Sequence, residues 1–208
     1  LERLASAWPV PVDEIVLLGH SMGGLVSRSA CHHAEVANHA WRAKLRTLIC
    51  VGSPHHGAPW ERGGNRIDAL LGMSRYSAPL ARLGKIRSAG VTDMRYGNVL
   101  DEHWEGRDRF AVGKDLRTPL HFPYPLARCY AIAGSSGATE SDKPPWDGIV
   151  PVDSALGRHE NPELTLDFSE RWIGYGIRHL DLLDRSEVYE KIRWWLAPRS
   201  TVATSIDR

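Results

Sequence analysis

The sequence is poor in cysteine, has no apolar run of membrane-spanning length and has no excess of either charge. Each deficit removes a class of protein. Three cysteines, Cys31, Cys50 and Cys129, occur among 208 residues. They lie far apart inside apolar stretches, so they read as small buried hydrophobes and not as a disulfide framework or a metal-ligand set. No stretch approaches the ~20 consecutive apolar residues that a membrane helix requires. Lys plus Arg (26) nearly balances Asp plus Glu (25), which leaves no broad basic field to attract nucleic acid or anionic lipid. What remains, 42% hydrophobic and 25% charged residues, suits a globular chain whose length favours one domain around one core. The first residue is Leu1 and not an initiator Met. The natural N-terminus is therefore expected to lie upstream, which leaves the compartment open.

What is present alternates between strand-like and helix-like segments. Ile15-Val16-Leu17-Leu18 is a short, unbroken apolar run ended by Gly19, the pattern of a parallel strand covered on both faces. Leu48 to Val51 repeats it and ends at Gly52, and Cys129 to Ala133 ends at Gly134. A weaker fourth run spans Leu164 to Phe168. Between the first two runs, from about Met22 to Ala43, Leu25, Val26, Ala30, Ala34 and Ala37 recur at helical spacing, giving the strand–helix–strand order of a right-handed crossover. A last helix is expected from an N-cap at Ser186, with Val188, Ile192, Trp195 and Leu196 on one face before Pro198. The stretch from about residue 60 to 127 interrupts this alternation with helix-like pieces (66–73 and 78–87) and a Pro and aromatic cluster (119–125). A structureless loop of that length is unusual in a compact domain, so it reads as a partly helical cap or lid over the carboxyl ends of the strands. The expected class is α/β, with a mostly parallel sheet and flanking helices.

The chemistry concentrates in Gly19-His20-Ser21-Met22-Gly23-Gly24, which follows the first strand directly and opens the first helix. That context lifts a G-x-S-x-G match above chance, because a Ser on so sharp a turn presents its Oγ above the sheet edge. Bulky neighbours would clash there, which accounts for Gly19 and Gly23. The helix that follows aims free N–H groups at the same place, so the N–H of Met22 is a candidate oxyanion donor. A Ser hydroxyl needs a base, and the base needs an acid to hold its tautomer. Asp147, in Trp146-Asp147-Gly148-Ile149-Val150-Pro151 beyond the third strand, is the expected acid; Asp153 is its rival and reads better as a cap for a small helix near Ser154. Among ten histidines, His179 lies late in the chain and on a loop, as the base should, and His159 is its rival. Adjacent His55 and His56 have no carboxylate or Cys spacing to suggest a metal, and a loop at the site rim is the expected role. Asp181 reads as a loop hydrogen-bonding residue rather than a cation ligand. No metal or cofactor is expected.

Together these pieces resemble the α/β-hydrolase esterases and lipases, particularly the lipase-like group that includes GPI inositol-deacylases. The matching stretches are GHSMGGLVSR from Gly19, SPHHGAP from Ser53, DGIVPVDSALG from Asp147 and HLDLL from His179, in the order such enzymes use. The resemblance implies a Ser21, Asp147, His179 triad, an oxyanion contact from Met22 and hydrolysis of a carboxylic ester, with a small-molecule or lipid-like ester as partner. An acyltransferase would use the same triad, and an inactive binding module could retain it. In the family several strands precede the nucleophile strand, whereas here only about a dozen residues do. The expectation is a C-terminal half of the fold, with one oxyanion donor missing and Ile15 to Leu18 left as an aggregation-prone edge.

Overall fold

The computed structural model describes residues 1–58, 94, 96–103, 105, 106, 117, 120, 122, 127–142 and 145–197. Four strands, β1 (Ile15–His20), β2 (Leu45–Val51), β3 (Arg128–Ser135) and β4 (Glu170–Tyr175), form one parallel sheet in the order β1-β2-β3-β4. Helix α1 (Glu2–Ala7) buries none of its residues. Helix α2 (Met22–Val36) crosses from β1 to β2, and α3 (Val152–Ala155) and α4 (Ser186–Leu196) flank the later strands. A parallel sheet requires such crossovers, and its inner strands need apolar side chains on both faces.

The alternation along β2 and β3 divides the core in two. Leu48, Cys50, Cys129, Ala131 and Ala133 point to one face, where Val150, Val152, Leu156, Leu166 and Phe168 cover them. Ile49, Val51, Tyr130 and Ile132 point to the other, against Ile177, Leu182, Val188 and Trp195. Trp195 of α4 stacks on Tyr130 with ring centroids 4.5 Å apart and planes 9° apart. All three cysteines are free and buried, and burial raises the Cys50 thiol to about 12 and the Cys31 thiol to about 11. They belong to the packing.

Three expectations change. The fourth strand is Glu170–Tyr175, while Leu166 and Phe168 enter the core from the loop before it. β4 lies at the edge of the described sheet and opens on Glu170 and Arg171, with Gly174 near its end, so it offers no continuous apolar run to such a search. Helix α2 stops at Val36; Ala40–Lys44 is a separate 3₁₀ turn that buries Trp41. The N-cap of α4 is Arg185, in extended conformation, and Ser186 is the first helical residue, its hydroxyl donating to Glu187 Oε2 at 3.3 Å. The helix-like pieces 66–73 and 78–87 fall outside the described residues. Within the rest of the interrupting stretch, Met94, Val99 and Leu100 pack on Leu25 of α2, and Phe122 packs on Phe168. Among the described residues no helix is long and apolar enough to cross a membrane.

Candidate active site

Ser21 sits between the end of β1 and the first turn of α2 with φ 55 and ψ −125. Positive φ is uncommon for a residue other than glycine and marks a constrained turn. Its own N–H donates to the Val51 carbonyl at 2.8 Å, which ties the turn to the end of β2. A Cβ on Gly19 would stand 2.5 Å from the Gly23 carbonyl carbon, and one on Gly24 would stand 2.1 Å from Ser53 Oγ. Gly23, by contrast, has open space where its Cβ would be. The close approach that demands a missing side chain is therefore at Gly19 and Gly24, where the helix start passes the strand end and the loop after β2.

The loops beyond β3 and β4 bring two further groups to Ser21. His179 Nε2 lies 3.0 Å from Ser21 Oγ, and His179 Nδ1 lies 2.7 Å from Asp147 Oδ2. Both rival candidates stand elsewhere. Asp153 lies in the first turn of α3, whose N-cap is Pro151, and makes an exposed ion pair with Arg158 at 3.4 Å; it does not cap the helix. His159 has its ring against His56 at 4.8 Å.

Asp147 is 1% exposed and His179 2% exposed. A buried carboxylate is costly unless its oxygens are bonded, and Asp147 meets that condition. Its Oδ1 accepts from the N–H groups of Ile149 at 2.9 Å and Val150 at 2.7 Å, which leaves Oδ2 for His179. The two residues are also joined by backbone, the His179 N–H donating to the Asp147 carbonyl at 3.0 Å. An imidazole whose Nδ1–H is given to a carboxylate presents the Nε2 lone pair to a hydroxyl. The set can take a proton from Ser21 and carry the resulting positive charge.

Two glycines that the sequence did not single out make this approach possible. Gly52, after β2, has φ +57, and a Cβ there would lie 2.8 Å from Leu182 and 3.3 Å from the His179 ring. Gly134, in β3, would place a Cβ 2.6 Å from the Ile177 carbonyl oxygen and 2.9 Å from Asp147 Cβ. Their only sequence signal is position, each closing an apolar run.

His55 and His56 diverge as adjacent side chains should. Arg28 donates to His55 Nδ1 at 3.4 Å and Arg117 to His56 Nδ1 at 3.1 Å. Burial first, and the two guanidinium charges next, hold both imidazoles below their ordinary range, His56 at about 4. Asp181 Oδ2 accepts the Arg178 N–H at 3.1 Å. Among the described residues no group of three or more His, Cys, Asp or Glu could hold a metal ion.

A parallel sheet with flanking helices, a strained Ser between strand and helix, and an imidazole and carboxylate delivered by later loops define a partial α/β-hydrolase fold. The chain belongs to the PGAP1-like alpha/beta domain family, whose model matches residues 4–111. No curated protein matches it. Among solved structures it is similar to the lipase BlEst2 of Bacillus licheniformis in mature form, at 17% identity and TM-score 0.47, covering 89% of this chain and 66% of that one. The same lipase in its propeptide form gives 17% identity and TM-score 0.49, covering 90% of this chain and 36% of that one. A meta-cleavage product hydrolase of Pseudomonas fluorescens IP01 gives 15% identity and TM-score 0.40, covering 88% and 64%. The chain thus spans less than two thirds of the length of either form of the lipase.

Proposed function

We propose that the chain is a serine hydrolase that cleaves carboxylic esters through an acyl-enzyme. The observation that carries this reading is the continuous hydrogen-bonded line from Ser21 Oγ through His179 to Asp147, at 3.0 and 2.7 Å. Ser21 Oγ attacks the ester carbonyl carbon while His179 Nε2 takes its proton. The carbonyl oxygen becomes an oxyanion, to which the Met22 N–H donates at the positive end of α2. Collapse breaks the bond to the alcohol, which leaves with the proton returned by His179. Water then repeats the sequence on the acyl-Ser21 ester and releases the acid.

A hydrophobic acyl group suits the surroundings. A cavity of about 460 Å³ is lined by Met22, Leu25, Val26, Met94 and Leu100, with Ser29, His33, Asn98 and Asp101 as its polar lining. In this reading residues 60–127 form the cap of the single domain and exclude water from the acyl group.

Labelling with an alkyl fluorophosphonate tests the reading. Ser21 should be modified, and Ser21→Ala should abolish the label; a folded chain that takes no label sinks the proposal. Asp147→Asn should lower kcat by about 10⁴-fold through the wrong His179 tautomer. Asp153→Asn and His159→Ala should leave turnover of p-nitrophenyl acetate near that of the parent. Equal losses at Asp147 and Asp153 would reassign the acid.

A further inference from the structure

His20 immediately precedes Ser21, at the end of β1, and its side chain reaches the His179 loop. His20 Nε2 lies 3.0 Å from the His179 carbonyl oxygen, 159 residues along the chain. The two rings also touch, with centroids 4.8 Å apart and planes tilted by 45°. A carbonyl can only accept, so the tautomer is fixed: His20 carries its proton on Nε2 and donates it. Burial first, and the charge of His179 next, lower the pKa of His20. It is therefore a neutral ring at neutral pH, and it adds no like charge beside an imidazolium forming on His179.

The geometry points to His20 as the positioning residue that locks the His179 loop onto the Ser21 turn. This inference rests on the reading of Ser21 as nucleophile. Asp147 grips His179 from the far side, through its Nδ1 and its backbone N–H. Those contacts orient the imidazole relative to Asp147 but do not themselves touch the Ser21 turn, because Asp147 and His179 both ride on loops beyond β3 and β4 while Ser21 follows β1. The bond from His20 spans that gap. It joins the residue before the nucleophile to the backbone of the base, so the two reacting atoms share one rigid frame. A loosened frame lengthens the 3.0 Å approach of Nε2 to Oγ, and proton transfer is sensitive to that separation. Substrate binding is left untouched.

Two substitutions separate the hydrogen bond from packing. His20→Phe keeps a ring against His179 and loses the donor. His20→Gln places an amide N–H where Nε2 stood. In the whole chain, His20→Phe should lower kcat for p-nitrophenyl acetate and the fluorophosphonate labelling rate by ~10-fold or more, with KM unchanged. His20→Gln should restore most of the loss. Hydrogen–deuterium exchange over residues 176–183 should rise in His20→Phe and return to the parent level in His20→Gln. That readout needs no turnover, so an unlabelled parent chain would overturn the nucleophile reading alone while the exchange data still decide the role of His20. Equal exchange in all three proteins, or a His20→Gln no better than His20→Phe, overturns the inference.

Discussion

Gly52 does no chemistry, yet it lies beneath the His179 ring at φ +57. An L-residue held in the left-handed region costs about 1–2 kcal/mol, and here its Cβ would also press on Leu182 and the imidazole. Gly52→Ala should therefore lower the urea midpoint by an amount worth about 1–2 kcal/mol and slow fluorophosphonate labelling as well. A variant that loses stability but labels at the parent rate would place the whole effect in the backbone. The position illustrates what a single sequence conceals at the residue scale. Ser21, Asp147 and His179 could be singled out by type, local string and order along the chain, and the structure brings these three together. Gly52 and Gly134 could not, because the groups they make room for arrive from residues more than a dozen positions away. Gly23 shows the opposite error: the pattern demands a glycine, but the space beside it is open, and the crowding falls on Gly24 against Ser53.

At the scale of elements, legibility followed burial. β2 and β3 are covered on both faces and read as unbroken apolar runs, and α4 showed its face through Val188, Ile192, Trp195 and Leu196. β4 is half-buried at the sheet edge and opens on the charged pair Glu170 and Arg171, so the apolar signal nearby belongs to Leu166 and Phe168, whose burial comes from a loop. β1 pairs only with β2 among the described strands, and Val16 and Leu18 are 40% and 57% exposed along it. An apolar edge with free N–H and carbonyl groups is a template for strand addition, and a charged side chain there blocks it. Leu18→Lys should suppress self-association, read by light scattering over rising concentration. Its unfolding free energy should stay within about 0.5 kcal/mol of the parent, since the side chain already faces solvent. Scattering that rises as steeply as in the parent would show that β1 is not the sticky edge.

On the scale of the whole molecule, one junction joins α2, the loop after β2, the stretch before β3 and helix α3. Arg28 and Arg117 reach into it, His55 and His56 accept from them, and Ser154 Oγ donates to the Gly57 carbonyl at 2.7 Å. The sequence offers SPHHGAP as a loop at the site rim and as one stretch of the family resemblance, but not as a junction, because its partners Arg28 and Arg117 are distant in the chain. The junction makes stability depend on pH. His56 has a folded pKa of about 4, lowered from 6.5 by burial and then by Arg117, and His55 lies well below its ordinary value for the same reasons. Well above pH 6.5 neither state binds a proton at these rings, and their contribution is complete. As pH falls from 6.5 toward 4, the unfolded chain takes up protons that the folded chain refuses, so stability drops by up to about 3 kcal/mol for His56 alone. Below pH 4 the folded His56 also protonates and its share of the slope ends, while that of His55 continues. His56→Gln keeps an acceptor for Arg117 and removes the titration. Urea unfolding at closely spaced pH values should show the parent losing stability faster than His56→Gln between pH 6.5 and 4, with the two curves parallel above pH 7. Parallel curves throughout would mean that the folded His56 titrates as freely as the unfolded one, and the junction would then lose its claim to set the acid limit of the fold.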